Sequence, residues 1–311
     1  IWAISSENSF GTAVPVGYWL EERYPEIERV CPVLLDQVPN HQVYYEDKKM
    51  AAAIAFADST FFDMFSYRIL EGDRNRLLAD PYSAVISQTF ARTLFGSESP
   101  IGKSIRLSDK TSVTVTGLME DIDRSVLPYR DLVCRIERVT EFNGSLSKTS
   151  EGNAGSCLVF LQTTPGADLN NRTDDVQAFF KERFWVYKME FMKEVRFTKL
   201  RDLYFTDMSN MYDARLQHGD RQFTLVLLSV GLLILIFSIT NYINLTVAQA
   251  ALRAKEMATR RLLGSTRMEL FWRLMSESMM MCLLAWGIAM MFAFLLDTFA
   301  NDLLQTKLDL T

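Results

Sequence analysis

A run of 31 consecutive residues without a formal charge, 222–252, constrains this chain more than any other feature of its sequence. Thirteen of the 17 residues at 223–239 are Phe, Leu, Val or Ile. At about −0.3 to −0.6 kcal/mol for each such residue, insertion into a bilayer is favoured by roughly 4 to 8 kcal/mol. The alternative is an apolar helix at the centre of a large soluble core. The length of the run favours a membrane span.

A second uncharged run, the 19 residues 278–296, predicts a second span. The segment between the runs, 248–274, has six basic and two acidic residues, a net charge of +4, whereas the rest of the chain carries −9. Short basic loops stay in the cytoplasm, so we expect residues 1 to about 218 and the C-terminal end on the other side of the membrane. No signal peptide opens the sequence, and we therefore expect a membrane span upstream of residue 1.

Composition excludes several classes of chain. With 49% hydrophobic residues, 23% charged residues and 4 cysteines in 311 residues, the protein is not disordered, collagen-like or disulfide-dense. Cys31, Cys134 and Cys157 would lie in an oxidising compartment, where an odd number cannot all pair internally. A bridge between Cys31 and Cys157 and two buried thiols both remain open.

Residues 1–218 show the mixed helix and strand patterns of an α+β fold. The predicted helices are 14–24, a short one at 61–65 capped by Ser59, 88–95 closed by Gly96, and 174–184. The predicted strands are 29–35, 50–56, 84–86, 104–107, 112–118, 157–162 and 195–200, with a turn at Asp109 and Lys110 and a loop at 141–156. The last β-α-β run completes a split βαβ sheet begun by the first helix and strand, which makes 72–150 an inserted lobe.

No catalytic set stands out. Gly96, Gly102, Lys103 and Ser104 resemble a phosphate-binding loop, but five residues separate the glycines where that loop has four, and a helix precedes the segment. We predict a connection from a helix to a strand. The two histidines, at 41 and 218, have no metal-ligand partner in the sequence, and we expect both on the surface.

The basic segment between the spans predicts a helix over 251–263. Gly264 suits the position just past its end, and Thr266 with Glu269 forms a capping box that begins the next helix. Leu252, Leu262, Leu263 and either Met257 or Thr259 line one face. The helix either lies on anionic lipid headgroups or docks a cytoplasmic partner.

Residues 241–267, NYINLTVAQAALRAKEMATRRLLGSTR, resemble the end of the second transmembrane helix and the coupling helix of FtsX-like ABC transporter permeases. Upstream, DSTFFDMFSYRILEG at 58–72, FGSESPIGK at 95–103 and VTVTG at 113–117 are similar to the MacB-like periplasmic core domain. The resemblance covers essentially the whole chain and is closest to large permeases of Bacteroidetes. Met257 departs from it, since Ile or Val is usual there.

The resemblance implies an α+β periplasmic domain, a porter-like split βαβ unit with an inserted second lobe, followed by two transmembrane α-helices. We expect the periplasmic core domain at 1–218, its inserted lobe at about 72–150, and a partial FtsX-like transmembrane domain at 219–311. Within the latter we expect spans at about 223–247 and 276–296 and a cytoplasmic coupling helix at about 251–274. A stalk at about 215–223 would join the two domains.

The function implied is that of a non-catalytic permease subunit, a multi-pass protein of the bacterial inner membrane. It would need no cofactor of its own, because a partner ABC ATPase binds the ATP. The residues that would dock this ATPase are Lys255, Glu256, Arg260, Arg261 and Gly264. The other implied partners are a second permease, in a homodimer or pseudo-dimer, membrane lipid and a periplasmic adaptor, but no nucleic acid.

Other functions fit parts of this pattern. A membrane-tethered periplasmic sensor would continue into a long cytoplasmic signalling helix, whereas this chain re-enters the membrane after about 27 residues. A membrane-anchored enzyme would need a catalytic set outside the membrane. Within the permease family, efflux of peptides or antibiotics, lipoprotein release and regulation of cell-wall hydrolases all remain open.

Overall fold

The computed structural model describes residues 1–7, 9–35, 41–108, 111–122, 125–152, 154–206 and 216–304, without the side chains of 251–252 and 297–304. The chain divides into two compact units, Ile1–Thr224 and Leu225–Thr311. The first is called the outer unit below.

The outer unit holds the strands and the short helices. Its strands are β1 (Trp2–Ser5), β2 (Gly11–Thr12), β3 (Ile27–Leu35), β4 (His41–Tyr45), β5 (Lys48–Ala52), β6 (Ile54–Ala57), β7 (Ile69–Gly72), β8 (Ser83–Ser87), β9 (Ser104–Leu107), β10 (Thr111–Met119), β11 (Leu132–Arg135), β12 (Cys157–Thr163) and β13 (Arg196–Lys199). The helices of the chain are α1 (Pro15–Arg23), α2 (Phe61–Met64), α3 (Gln88–Phe95), α4 (Val139–Phe142), α5 (Thr173–Arg183), α6 (Trp185–Lys188), α7 (Leu200–Leu203), α8 (Arg221–Leu262) and α9 (Arg267–Leu304).

Four strands form the split βαβ arrangement. They lie in the order β13-β1-β12-β3, and each neighbouring pair is antiparallel. Helix α1 connects β1 to β3, and α5 lies between β12 and β13 in the chain. Each helix therefore crosses over one intervening strand, which is the connection that a split βαβ unit requires. The predicted α+β fold with a split βαβ sheet is confirmed.

The sheet separates two hydrophobic cores. Val30 of β3 belongs to the core that contains α1 and α5, whereas Val33 and Leu35 belong to the core that contains α2. Alternate side chains of a strand point to opposite faces, so β3 contributes to both cores. On α1, Val16 and Leu20 lie one turn apart and are fully buried.

The strands between β3 and β12 extend the same sheet. Beyond β3 the order continues as β6-β11-β8-β10-β9-β4-β5, with β7 paired to β10. The β6–β11 and β8–β10 pairs are parallel. The two lobes therefore share one hydrogen-bonded sheet, and the bounds 72–150 for an inserted lobe stay a prediction.

Two local predictions are wrong. The strand predicted at 50–56 is two strands, because Asp131 breaks it: an oxygen of its carboxylate accepts the N–H of Ala53 at 2.7 Å. Ser59 does not cap α2. Its hydroxyl donates to Asp58 at 2.8 Å, and Thr60 occupies the cap position without a capping side-chain hydrogen bond.

The segment that resembles a phosphate-binding loop is a structural connection, as predicted. Helix α3 begins at a Ser87 cap, ends at Gly96 with φ of +69°, and leads to β9. Lys103 pairs with Glu98 and lies 4.9 Å from the ring centroid of Phe95. The lysine is thus engaged within the fold. The predicted turn at Asp109 and Lys110 lies outside the described residues.

His41 is not the surface residue that we expected. It is half-buried, with its ring centroid 4.7 Å from that of Phe142. His218 is exposed, as predicted. Cys31 and Cys157 are buried thiols rather than a disulfide, which decides between the two states that the sequence left open.

Candidate functional site

Helices α8 and α9 carry the two uncharged runs. Arg221–Ala250 and Arg267–Leu296 are long and apolar enough to cross a membrane. Their side chains are exposed along this length; Phe237, for example, is 70% exposed. A helix of a soluble core would bury such residues, so that alternative is wrong. An exposed apolar surface of this size suits lipid or a partner protein.

Helix α8 continues well beyond the predicted span. Its 42 residues extend for about 63 Å, roughly twice the hydrocarbon thickness of a bilayer. The sequence between Gly231 and Gly264 contains no Gly or Pro and is rich in alanine, so nothing interrupts the helix. The predicted coupling segment, 251–274, is therefore not a helix of its own. Its first part is the end of α8, and its second part is the beginning of α9.

The turn between the helices is a Schellman motif. The N–H of Ser265 donates to the carbonyl of Arg260 at 3.2 Å, and the N–H of Gly264 donates to that of Arg261 at 3.1 Å. Gly264 has φ of +96°, a left-handed conformation that strains other residues. The predicted position of Gly264 just past the helix end is confirmed.

The capping box at the start of α9 is also confirmed. The N–H of Glu269 donates to the Thr266 hydroxyl at 3.3 Å, and the N–H of Thr266 donates to the Glu269 carboxylate at 3.0 Å. These bonds satisfy amide groups that a helix start leaves without partners. Motifs at both ends of the four-residue turn therefore define its geometry.

The five predicted docking residues lie at this hairpin. Arg260 pairs with Glu256 one turn away, at 2.9 Å, and Lys255, Arg261 and Gly264 are exposed. The pair is solvent-exposed and contributes little to stability, so its charges remain able to interact with a partner.

Two leucines complete the tip of the hairpin. Leu262 and Leu263, beside Arg260 and Arg261, are 89% and 82% exposed. We predicted that they line one apolar face, and the structure leaves these two side chains uncovered. An apolar pair flanked by cations fits a partner surface that has an apolar pocket and acidic residues around it.

One polar cluster of the outer unit was not predicted. Lys148 Nζ lies 3.0 Å from a carboxylate oxygen of Asp58 and 3.0 Å from one of Glu137. Arg135 makes a bidentate pair with Glu137, at 2.7 and 2.9 Å, and Tyr18 donates to Asp58. No sequence spacing relates these residues, because they come together only through the sheet and the loop that follows α4.

The cluster keeps both carboxylates ionised. Burial raises the pKa of Glu137, but hydrogen bonds from Arg135 and Lys148 outweigh it and lower the pKa to about 2. Burial likewise opposes ionisation of Asp58, but hydrogen bonding by Tyr18 and the charge of Lys148 bring its pKa below the ordinary value. The cluster is a tether: it holds the loop around Lys148 against the sheet. Among the described residues, no group of His, Cys, Asp and Glu is arranged to bind a metal ion.

Comparison with known proteins assigns both parts of the chain. The MacB-like periplasmic core domain matches residues 2–179, and the FtsX-like permease C-terminal domain matches residues 228–310. A search of curated proteins found no match.

Several solved structures resemble the chain. A domain described as part of a permease protein from Porphyromonas gingivalis gives a TM-score of 0.51 at 19% identity, over 64% of this chain and 88% of that one. The periplasmic region of MacB from Actinobacillus actinomycetemcomitans gives 0.47 at 12% identity, over 65% and 89%. The extracellular domain of the noncanonical ABC-type transporter YknZ from Gram-positive bacteria gives 0.44 at 14% identity, over 63% and 98%. At this identity the first of these likenesses supports a shared fold.

The periplasmic core match covers more than half of the chain, and the permease match covers the two apolar helices. This protein therefore belongs to the MacB-like and FtsX-like family of ABC transporter permeases and is a membrane protein with a periplasmic domain.

Proposed function

We propose that this chain is a non-catalytic permease subunit that couples ATP hydrolysis by a separate ABC ATPase to work in the periplasm. It would lie in the bacterial inner membrane as a multi-pass protein, with the hairpin between α8 and α9 in the cytoplasm. The work is efflux or the transmission of force to the outer unit. Lys255, Glu256, Arg260, Arg261 and Gly264 would form the docking site for the ATPase.

The observation that carries this proposal is the hairpin itself. It joins two membrane-length helices by a four-residue turn with a cap on each side. The segment around it has a net charge of +4, which favours the cytoplasmic side. Because α8 is continuous, a displacement of its tip would move the whole helix. A membrane-tethered sensor has no need of this arrangement, since its signalling helix continues into the cytoplasm.

Reversing two charges tests the docking site. In the double variant Arg260→Glu and Arg261→Glu, we expect binding of the partner ATPase to weaken by more than about tenfold, since like charges across an interface cost several kcal/mol. The measurement is copurification of the ATPase in neutral detergent, together with its stimulated ATP hydrolysis. Neutral detergent removes anionic lipid, so the result reports on protein contacts.

A matched control reverses two exposed cations of the outer unit, Lys188→Glu and Lys193→Glu, which should leave ATPase binding unchanged. If the hairpin variant binds and stimulates the ATPase like the parent, the docking proposal is wrong.

The presence of a periplasmic adaptor separates the substrate classes. Peptide or antibiotic efflux would be accompanied by a periplasmic adaptor, whereas lipoprotein release and cell-wall regulation would not require one. Copurification of an adaptor with the outer unit would favour efflux.

A further inference from the structure

Two aromatic side chains of the outer unit are exposed beside its last residues, 219–223. Tyr204 and Phe205 follow α7, are 38% and 47% exposed, and form an edge-to-face pair with ring centroids 5.0 Å apart. The preceding residue, Leu203, is fully buried in the core around α2. The segment is thus anchored by Leu203 and leaves the aromatic pair on the surface.

The pair lies directly beside the beginning of α8. The N–H of Gly219 donates to the carbonyl of Tyr204 at 2.8 Å. A Cβ on Gly219 would lie 2.5 Å from a carbon of the Tyr204 ring, so the ring sits against the backbone there. Asp220 then caps the helix, because its carboxylate accepts the N–H groups of Gln222 and Phe223 at 2.7 and 3.0 Å.

The position of Tyr204 beside Gly219 indicates how deep the aromatic pair lies relative to the bilayer. The uncharged run begins at residue 222, three positions after Gly219, so it starts at most about 11 Å from Gly219 even if the chain between them is extended. The polar headgroup layer on each side of a bilayer is about 5 to 8 Å thick. Aromatic side chains with a polar group, such as Tyr, favour this layer because the ring is apolar and the hydroxyl can remain hydrated.

Cations accompany the pair. Arg221 is the first residue of α8 and is exposed, and the side chain of Arg201 on α7 is 78% exposed although it pairs with Asp202 at 3.5 Å. Guanidinium groups bind lipid phosphates well. The surface therefore combines apolar rings with cations, as a headgroup layer requires.

We infer that Tyr204 and Phe205 insert into the headgroup layer of the outer leaflet and that lipid covers the faces these rings leave exposed. The inference rests on the proposed function, in which α8 spans the membrane and the outer unit is periplasmic. Lipid is the occupant because this surface is continuous with the start of the span.

Spin labels test the depth of this surface. Phe205→Cys would be labelled with a nitroxide in the full chain carrying Cys282→Ser, since the other three cysteines are buried. The protein is studied in nanodiscs of phosphatidylethanolamine and phosphatidylglycerol. The ratio of collision rates with oxygen and with a water-soluble nickel chelate measures depth. We expect this ratio to be several-fold higher at residue 205 than at the control Tyr82→Cys, an exposed aromatic site elsewhere on the outer unit.

A label at Leu233→Cys, within the uncharged run, separates the two proposals. If residue 233 is deep and residue 205 is as accessible to the nickel chelate as residue 82, the lipid contact is wrong and the membrane placement stands. A label at residue 205 that neither reagent reaches would show a protein contact and also overturn the inference. An aqueous label at residue 233 would overturn the proposed function itself. Arg201→Cys provides a second measurement on the same surface, expected at headgroup depth.

Discussion

Among single residues, Lys148 has the largest structural consequence. Its ammonium group bridges the carboxylates of Asp58 and Glu137 and lies 4.9 Å from the ring centroid of Tyr18. The Asp58 side chain is 8% exposed, so its charge has little access to water. A buried charge that loses its partner keeps its desolvation cost. The ion pairs of Lys148 with Asp58 and Glu137 therefore hold the loop around Lys148 against the sheet.

We expect Lys148→Met to destabilise the outer unit by on the order of 2 kcal/mol at neutral pH, because two carboxylates lose their shared cation. The pKa of Glu137 is depressed to about 2 in the folded chain, below its ordinary value of 4.5. A depressed pKa contributes stability above the ordinary value, and this contribution is lost as the pH falls through the folded value. The difference between parent and variant should therefore narrow below about pH 4.

Thermal unfolding of the full chain in detergent, followed by aromatic circular dichroism at pH 7, 5 and 3, measures this effect. Lys193→Met, at an exposed position, is the control and should unfold like the parent. A Lys148 variant with an unchanged unfolding temperature at pH 7 would contradict the proposed tether.

Among the elements, the hairpin between α8 and α9 depends on one glycine. Gly264 has φ of +96°, where a residue with a Cβ costs roughly 1 to 2 kcal/mol. Substitution of Gly264 therefore destabilises the turn by straining its backbone conformation. Helix α9 has a capping box that does not involve Gly264, so its start should persist.

We predict that Gly264→Ala broadens the distribution of distances between α8 and α9, because the left-handed turn competes with other conformations. Spin labels at Thr259→Cys and Met268→Cys, both exposed, report this distance by pulsed EPR in the chain carrying Cys282→Ser. The matched control is Gly287→Ala in the middle of α9, where no atom lies within 4 Å of an added Cβ. Equal distributions in the two variants would show that the turn does not require glycine.

Local sequence patterns predicted much of these elements. Helices α1, α3 and α5 follow apolar spacing, and the two caps of the hairpin follow residue types that act within a few positions. Strand β1 was not predicted, because its partners β12 and β13 lie far away in the chain. The Asp58 cluster was missed for the same reason. Ser59 was assigned the wrong role, since the sequence did not show that Asp58 would accept its hydrogen bond.

Across the whole molecule, charge is distributed unevenly. The hairpin segment has a net charge of +4 and the remainder −9, so the net charge of −5 is the sum of two regions of opposite sign. In a membrane protein this asymmetry sets the orientation, because basic segments near a span are retained in the cytoplasm.

Cysteine labelling in intact cells checks this topology. With Cys282→Ser in the parent, we expect Tyr82→Cys to react with a membrane-impermeant maleimide before lysis and Arg261→Cys to react after lysis alone. Both positions are exposed on the protein, so a difference in their reaction before lysis shows on which side of the membrane each one lies. The reverse order of reaction would contradict the predicted orientation.

The partners of β1 are synthesised long after β1 itself, which affects how the chain folds during synthesis. Trp2 lies opposite Leu161 in β12 and Lys199 in β13. Both edges of β1 therefore form their hydrogen bonds only with segments that are synthesised much later. At about 5 to 20 residues per second, the ribosome needs roughly 8 to 30 s to make the intervening 160 residues. During that interval β1 would cross the membrane with both of its edges open, and an open strand edge is prone to aggregation. We therefore expect the nascent chain to be prone to aggregation until β12 and β13 have been synthesised.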